Sequence, residues 1–138
     1  MNRLVLDASV ALRWCFPDER APSASSVLRA LRSAEAVVPA IWPLQVANAL
    51  LVAERAKRLP SADAARFLAL LEGLEVHVEA PVLSRDLRET RALAKAYGLS
   101  SYDAAYLELA MRESLPLATL DKALTKAARK AGVALIDR

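Results

Sequence analysis

The chain of 138 residues contains a single cysteine, so no internal disulfide can form. A lone thiol fits a reducing cytosol, and a cytoplasmic location is expected. No His or Cys cluster surrounds Cys15, which therefore reads as a small core residue and not as a nucleophile. Aromatic residues make up only 5%, against 55% hydrophobic overall. A core is affordable, but alanine and leucine must build it, which favours helices packed through small and aliphatic side chains. Glycine occurs three times, at Gly73, Gly98 and Gly132, each where a helix is expected to stop. Charge is missing from residues 36–53, a run of apolar length. Pro39, Pro43, Gln45 and Asn48 interrupt it, so it reads as a buried strand followed by a buried helix and not as a membrane span. The N-terminal apolar run is broken by Asp7, too early for a secretory signal.

What is present suits one domain over residues 1–138. Lys and Arg total 19 against 16 Asp and Glu, a net charge of +3 that permits a polyanionic partner without requiring one. Basic residues thicken at Arg85, Arg88, Arg91 and Lys95, and again at Lys122, Lys126, Arg129 and Lys130. On charge alone these read as solvated helix faces.

Apolar periodicity sets an alternation of strands and helices. Residues 4–6 form a short continuous apolar run, as in a buried parallel strand, ended by Asp7. A helix over 10–15 is broken by Pro17, and a second covers 24–32. A strand at 36–38 stops at Pro39, and a long helix runs over 41–58 to Pro60. Ser61 is expected to cap a helix reaching Glu72. Residues 74–78 alternate apolar and polar, an edge-type strand that puts His77 on the surface. Helices follow at 84–97, 101–112 and 122–131, with strands at 116–120 and 133–136. The expected fold is α/β: a central, mostly parallel sheet of about five short strands flanked by helices on both faces.

Ligands of open parallel sheets bind beyond the carboxyl ends of the strands. Asp7 and Asp121 fall there, and Asp103 sits in the first turn of a helix that can face the same edge. Three carboxylates at one edge repel unless a cation neutralises them, and hard oxygen ligands suit Mg2+ or Mn2+ over zinc. Each aspartate also has a plain structural role open to it. Asp7 and Asp121 stand where helix N-caps do, and Ser100-x-x-Asp103 has the form of a capping box. Position alone leaves both possibilities standing.

Four segments tip the balance: LVLDASVALRW at 4–14, VPAIWPLQVANAL at 38–50, LSSYDAAYLELA at 99–110 and LATLDKALTKAARKAGV at 117–133. In this order they resemble the PIN-domain ribonucleases, and within them the VapC-type toxins of bacterial toxin–antitoxin pairs. The resemblance covers essentially the whole chain. It implies a PIN-like fold and a Mg2+- or Mn2+-dependent endoribonuclease, a hydrolase of RNA phosphodiester bonds in single-stranded or looped RNA. It implies that Asp7, Asp103 and Asp121 are the catalytic, metal-binding carboxylates, with Thr119 lining the site. It further implies a homodimer and a small antitoxin protein as partner.

One position departs from the family pattern. Gln45 stands where the family usually has glutamate, with Asn48 at the neighbouring polar position one turn on. A neutral amide leaves the site with about three negative charges instead of four, which weakens cation binding. Glu54 and Glu108 fall on the wrong helical faces to replace the missing acid. The alternative reading is therefore a catalytically weakened PIN-like module that binds RNA or an antitoxin. Other enzymes with an aspartate at a strand end fit less well. A haloacid-dehalogenase-type phosphatase wants Asp-x-Asp where this chain has Asp7-Ala8-Ser9, and a receiver domain wants adjacent acids that the first strand does not supply.

Overall fold

Short β-branched and leucine-rich runs form the centre of the protein, and alanine-rich amphipathic helices cover them. The structure is a computed structural model that describes residues 2–16 and 21–136. Elements follow in the order β1 (Arg3–Leu6), α1 (Ala8–Arg13), α2 (Pro22–Ala30), β2 (Glu35–Val38), α3 (Trp42–Arg55), α4 (Ser61–Glu72) and β3 (Val76–Val78). The second half comprises α5 (Leu83–Arg85), a π-helical turn (Asp86–Thr90), α6 (Arg91–Tyr97), α7 (Ser101–Glu113), β4 (Leu117–Ala118) and α8 (Lys122–Ala131).

The sheet has the order β3-β2-β1-β4, and every pairing is parallel. β1 pairs with β2 on one side and with β4 on the other. The strand order thus reverses direction at β1, which opens a crevice beyond the carboxyl ends of β1 and β4. Leu4, Val5, Leu6, Ala36, Val38, Leu117 and Ala118 are at most 1% exposed. Both sheet faces are therefore covered, as continuous apolar strands require. Small residues let the helices approach closely: Ala11, Ala104, Ala110 and Ala128 are all buried against their neighbours. Cys15 lies in the same core, where burial pushes its thiol pKa up, so the expectation of an inert core thiol is met.

The expected α/β layout holds, with corrections of detail. The sheet has four strands where about five were expected. The segment at 133–136 makes a single parallel bridge, Leu117 to Leu135, because β4 is only two residues long and offers it one partner. Residues 119 and 120, expected as strand, leave the sheet to form the crevice. Ser61 is the first helical residue of α4 and caps nothing; Pro60 occupies the N-cap position. The helix expected over 84–97 is interrupted by the π turn, across which Thr90 donates to Asp86 Oδ1 at 3.1 Å. α3 ends at Arg55, and Lys57 turns the chain with φ +58°. The helix break expected at Pro17 lies outside the described residues. Gly98 and Gly132 end α6 and α8 with φ of +67° and +77°, conformations a side chain would strain. His77 sits on edge strand β3, exposed as expected. Among the described residues no helix is long and apolar enough to cross a membrane, and the 36–53 run is the strand β2 followed by α3.

Candidate active site

β1 delivers Asp7 to the crevice. Asp7 occupies the N-cap position of α1, yet its side chain makes no capping bond, so the structural role open to it is not the one it plays. Its carboxylate turns instead towards β4. Oδ2 accepts hydrogen bonds from the Ser9 hydroxyl at 2.7 Å and the Thr119 hydroxyl at 2.7 Å. Both hydroxyls are themselves held by backbone: Thr119 Oγ1 accepts from the Asp121 N–H and Ser9 Oγ from the Leu120 N–H, each at 3.0 Å. Two short relays thus lock the end of β1 to the residues following β4. Asp7 is only 5% exposed, and burial raises its pKa above the ordinary carboxylate value against the lowering effect of these hydroxyls. The negative charge of Asp121 adds to the rise.

Asp103 and Asp121 keep structural duties alongside. Asp121 caps α8, its Oδ2 accepting from the Leu124 N–H at 2.8 Å. The Asp103 N–H donates to the Ser100 hydroxyl at 3.1 Å, the first half of the expected capping box. Partial burial raises the Asp103 pKa, and the charges of Asp121 and Asp7 raise it further, while the Ser100 hydroxyl lowers it. All three carboxylates therefore share one edge and one electrostatic field. Among the described residues, no lysine or arginine pairs with any of them. A set of hard oxygen donors with an uncompensated negative field fits a divalent cation such as Mg2+ or Mn2+.

The aspartates do not all approach one another closely. Among the described residues, the group of three whose ligand atoms lie within 4.8 Å of each other is Glu35, Glu75 and His77. Those atoms could meet on a divalent cation, but they sit at the start of β2 and β3, the opposite edge of the sheet, with side chains 46–72% exposed. At the crevice, Asp7, Asp103 and Asp121 do not form a group within that distance.

Gln45, on α3, is half-buried and accepts the phenolic proton of Tyr106 through Oε1 at 2.5 Å. Tyr106 is fully buried. Burial holds its pKa well above the ordinary phenol value, as do the nearby charges of Asp7 and Asp103. The hydroxyl is a permanent donor at any working pH, and it fixes the Gln45 amide beside the carboxylates. Asn48 is exposed. Glu54 is exposed too, and Glu108 is tied up by Arg112 at 2.9 Å, so neither replaces the missing acid. Arg112 also grips Glu79 with two bonds, at 2.9 and 2.6 Å, pinning the segment after β3 to α7.

Ser9 and Tyr106 are the site residues that the sequence reading missed. Both were findable in principle: Ser9 is two residues beyond Asp7, and Tyr106 follows Asp103 by three, on the same helical face. Beside the crevice, a cavity of about 440 Å³ opens between Ile41 and Leu44 of the α3 entrance and Tyr102 and Ala105 of α7.

Comparison with known proteins agrees with this architecture. The family model described as PIN domain matches residues 4–130. Ribonuclease VapC3 of Pyrobaculum aerophilum is 32% identical over 128 residues, covering 90% of this chain and 93% of that protein. The crystal structure of PAE2754 from Pyrobaculum aerophilum superposes with a TM-score of 0.68 at 24% identity, over 91% of this chain and 86% of that one. FitAcB from Neisseria gonorrhoeae gives 0.59 at 19% identity, over 97% and 96%. A toxin–antitoxin complex from Klebsiella pneumoniae gives 0.58 at 17% identity, over 86% of each chain. These three structures support the fold.

Proposed function

The chain belongs to the PIN-domain family, in its VapC-type branch, and from that premise we infer that it is a metal-dependent endoribonuclease acting as the toxin of a toxin–antitoxin pair. Family membership supports a nuclease role. The observation that carries the metal reading is the carboxylate edge itself: the charge of Asp121 raises the cost of ionising Asp7 and Asp103, Asp7 adds to that of Asp103, and among the described residues no lysine or arginine pairs with them. These three residues would hold Mg2+ or Mn2+, which supplies Lewis-acid stabilisation of the phosphoryl oxygens during in-line displacement.

The chain's own groups set up that chemistry. Ser9 and Thr119 donate to Asp7 Oδ2, favouring the ionised form and fixing which way the carboxylate faces. Asp121, anchored by Leu124, and Asp103, anchored at the α7 N-terminus, complete the negative wall. Tyr106 holds Gln45 so that a neutral amide borders the site. A small crevice of this kind favours unstacked RNA, whose backbone can enter where a duplex cannot. The test is Mn2+-dependent cleavage of single-stranded RNA by the purified chain. Asp7→Ala and Asp103→Asn are expected to abolish it; cleavage that persists in both variants and in excess chelator overturns the reading.

Gln45 favours a second reading, a weakened module that binds RNA or an antitoxin. Gln45→Glu separates the two. If glutamine impairs the site, the added charge raises Mn2+ affinity and cleavage together; if both stay level, glutamine is tolerated and the active-enzyme reading stands. A small protein antitoxin and a homodimer belong to the same proposal. The structural likeness to a toxin–antitoxin complex from Klebsiella and the exposed apolar side chains lining the cavity support a protein partner: Leu44, Val82 and Tyr102 are 67%, 39% and 62% exposed. A reducing cytosol is the compartment that suits the buried lone thiol.

A further inference from the structure

Helix α8 is capped at both ends, yet its exposed face is crowded with charge of one sign. It carries Lys122, Lys126, Arg129 and Lys130 and no acid. Lys122 is its first residue, where the helix dipole disfavours a cation. Lys122 and Lys126, and again Lys126 and Lys130, are four residues apart, a spacing at which like charges repel. All four side chains are exposed, and no acidic residue pairs with them among the described residues. Some cations elsewhere do find acids: Arg66 with Asp63, Arg3 with Glu113, and Arg85 and Arg112 with Glu79. The opposite side of α8, with Leu124, Thr125, Ala127 and Ala128, is buried. At about 100° per residue the four cations fall within an arc of about 100°. They form one ridge, stepping about 6 Å per four residues along the axis. A sequence keeps such a conflict when something outside the fold relieves it.

The ridge starts one residue beyond Asp121, so it leads directly away from the carboxylate edge. That edge repels a polyanion, and an adjoining row of unpaired cations is what would draw one in. We propose that the α8 ridge binds successive phosphates of the single-stranded RNA and lays the strand across the aspartates. This deepens the nuclease reading and rests on it. A phosphate track requires no base contacts, so it contributes affinity and alignment but no sequence preference.

The experiment measures binding of a short, fluorescein-labelled oligouridylate by anisotropy, in an Asp103→Asn background so that the RNA stays intact. Lys126→Ala/Lys130→Ala is compared with Arg29→Ala/Arg32→Ala, a pair of exposed cations before β2 that removes the same charge. Deprived of two phosphate-binding cations, the ridge variant binds about 10-fold more weakly near 100 mM salt, and its log–log salt slope shrinks by about 1.4. The control pair changes little. The ridge variant also melts about 1–4 °C higher, because two like-charge pairs are gone. An unchanged salt slope, an equal effect from the control pair, or a lower melting temperature overturns the proposal. Mn2+ titration of the otherwise wild-type chain reads the metal site separately. Tight Mn2+ binding and metal-dependent cleavage with an unchanged slope would sink the ridge alone, whereas absence of both would sink the nuclease reading and the ridge with it.

Discussion

Replacing Thr119 with valine keeps the shape of a fully packed position and deletes one hydroxyl. Thr119 is 4% exposed, and its oxygen does two things: it donates to Asp7 Oδ2 at 2.7 Å and accepts from the Asp121 N–H at 3.0 Å. A hydrogen bond to a charged group contributes about 1.5–3 kcal/mol, and a part-buried N–H left without an acceptor adds about 1 kcal/mol. The expected loss is on the order of 3 kcal/mol, or about 10 °C in Tm for a domain of this size. The loss should depend on pH. The hydroxyl lowers the Asp7 pKa against the rise caused by burial. Because that pKa is raised overall, ionising Asp7 already costs the folded state stability as pH rises through it, and removing the hydroxyl enlarges that cost. Urea unfolding in chelator at about pH 8 should therefore show the full penalty, and unfolding below the Asp7 pKa a smaller one, where a neutral carboxyl loses only a neutral hydrogen bond. Mn2+ affinity should fall about 10–100-fold, the usual cost of removing a group that orients a ligand. Thr119→Ser restores the hydroxyl and should recover most of the affinity. A valine variant as stable as the parent, a penalty that does not vary with pH, or a serine variant as poor as valine would each refute the relay from Thr119 to Asp7.

Two further outcomes follow from the same geometry. Tyr106→Phe removes the donor that fixes Gln45; Mn2+ affinity should drop several-fold in the parent and by a different factor in the Gln45→Glu background, and a double-mutant cycle that sums to zero coupling would show that the phenol does not act through Gln45. Arg112→Leu leaves Glu79 with only the more distant Arg85 and takes the partner from Glu108, which is 8% exposed, and should cost about 2–3 kcal/mol in denaturant unfolding at neutral pH. Arg112 holds the Glu79 pKa below its ordinary value, so its stabilisation is present above the unfolded pKa and fades as pH falls through the folded one; parent and variant should converge in acid, and a constant gap would contradict this.

Much of the layout was legible because the relevant signals are local. Apolar runs at 4–6 and 36–38, the periodicity of α3, α4, α7 and α8, and the glycines after α6 and α8 all report on residues within one element. The errors fall where tertiary contacts decide. β4 stops after Ala118 because Thr119 turns to Asp7, and nothing within 116–120 signals a partner more than a hundred residues away. The π turn at Asp86–Thr90 likewise lies inside an ordinary helical pattern. For the candidate site, position and flanking motif nominated three aspartates and offered each a capping role, but which of them caps was not legible. An N-cap position predicts a capping bond for Asp7 as readily as for Asp121, yet only Asp121 makes one. Hydroxyl chemistry such as that of Ser9 is harder still to foresee, since serine near a helix start is commonplace and its distant donor, the Leu120 N–H, arrives only when β4 docks alongside.

That late arrival has a consequence for how the protein is made. Asp7 is synthesised well before the partner that orients it, which stands 112 positions further on. Pairing of β1 with β4 is among the most distant contacts in the molecule, and contacts of high separation are costly to close early in folding. A nascent chain that has completed β1, β2 and β3 therefore carries an aspartate with no Thr119 to hold it and no Asp121 beside it. Copies that lack the segment from Thr119 to Asp121 are inert in this scheme, and the activity proposed for the crevice switches on only when β4 has docked against β1.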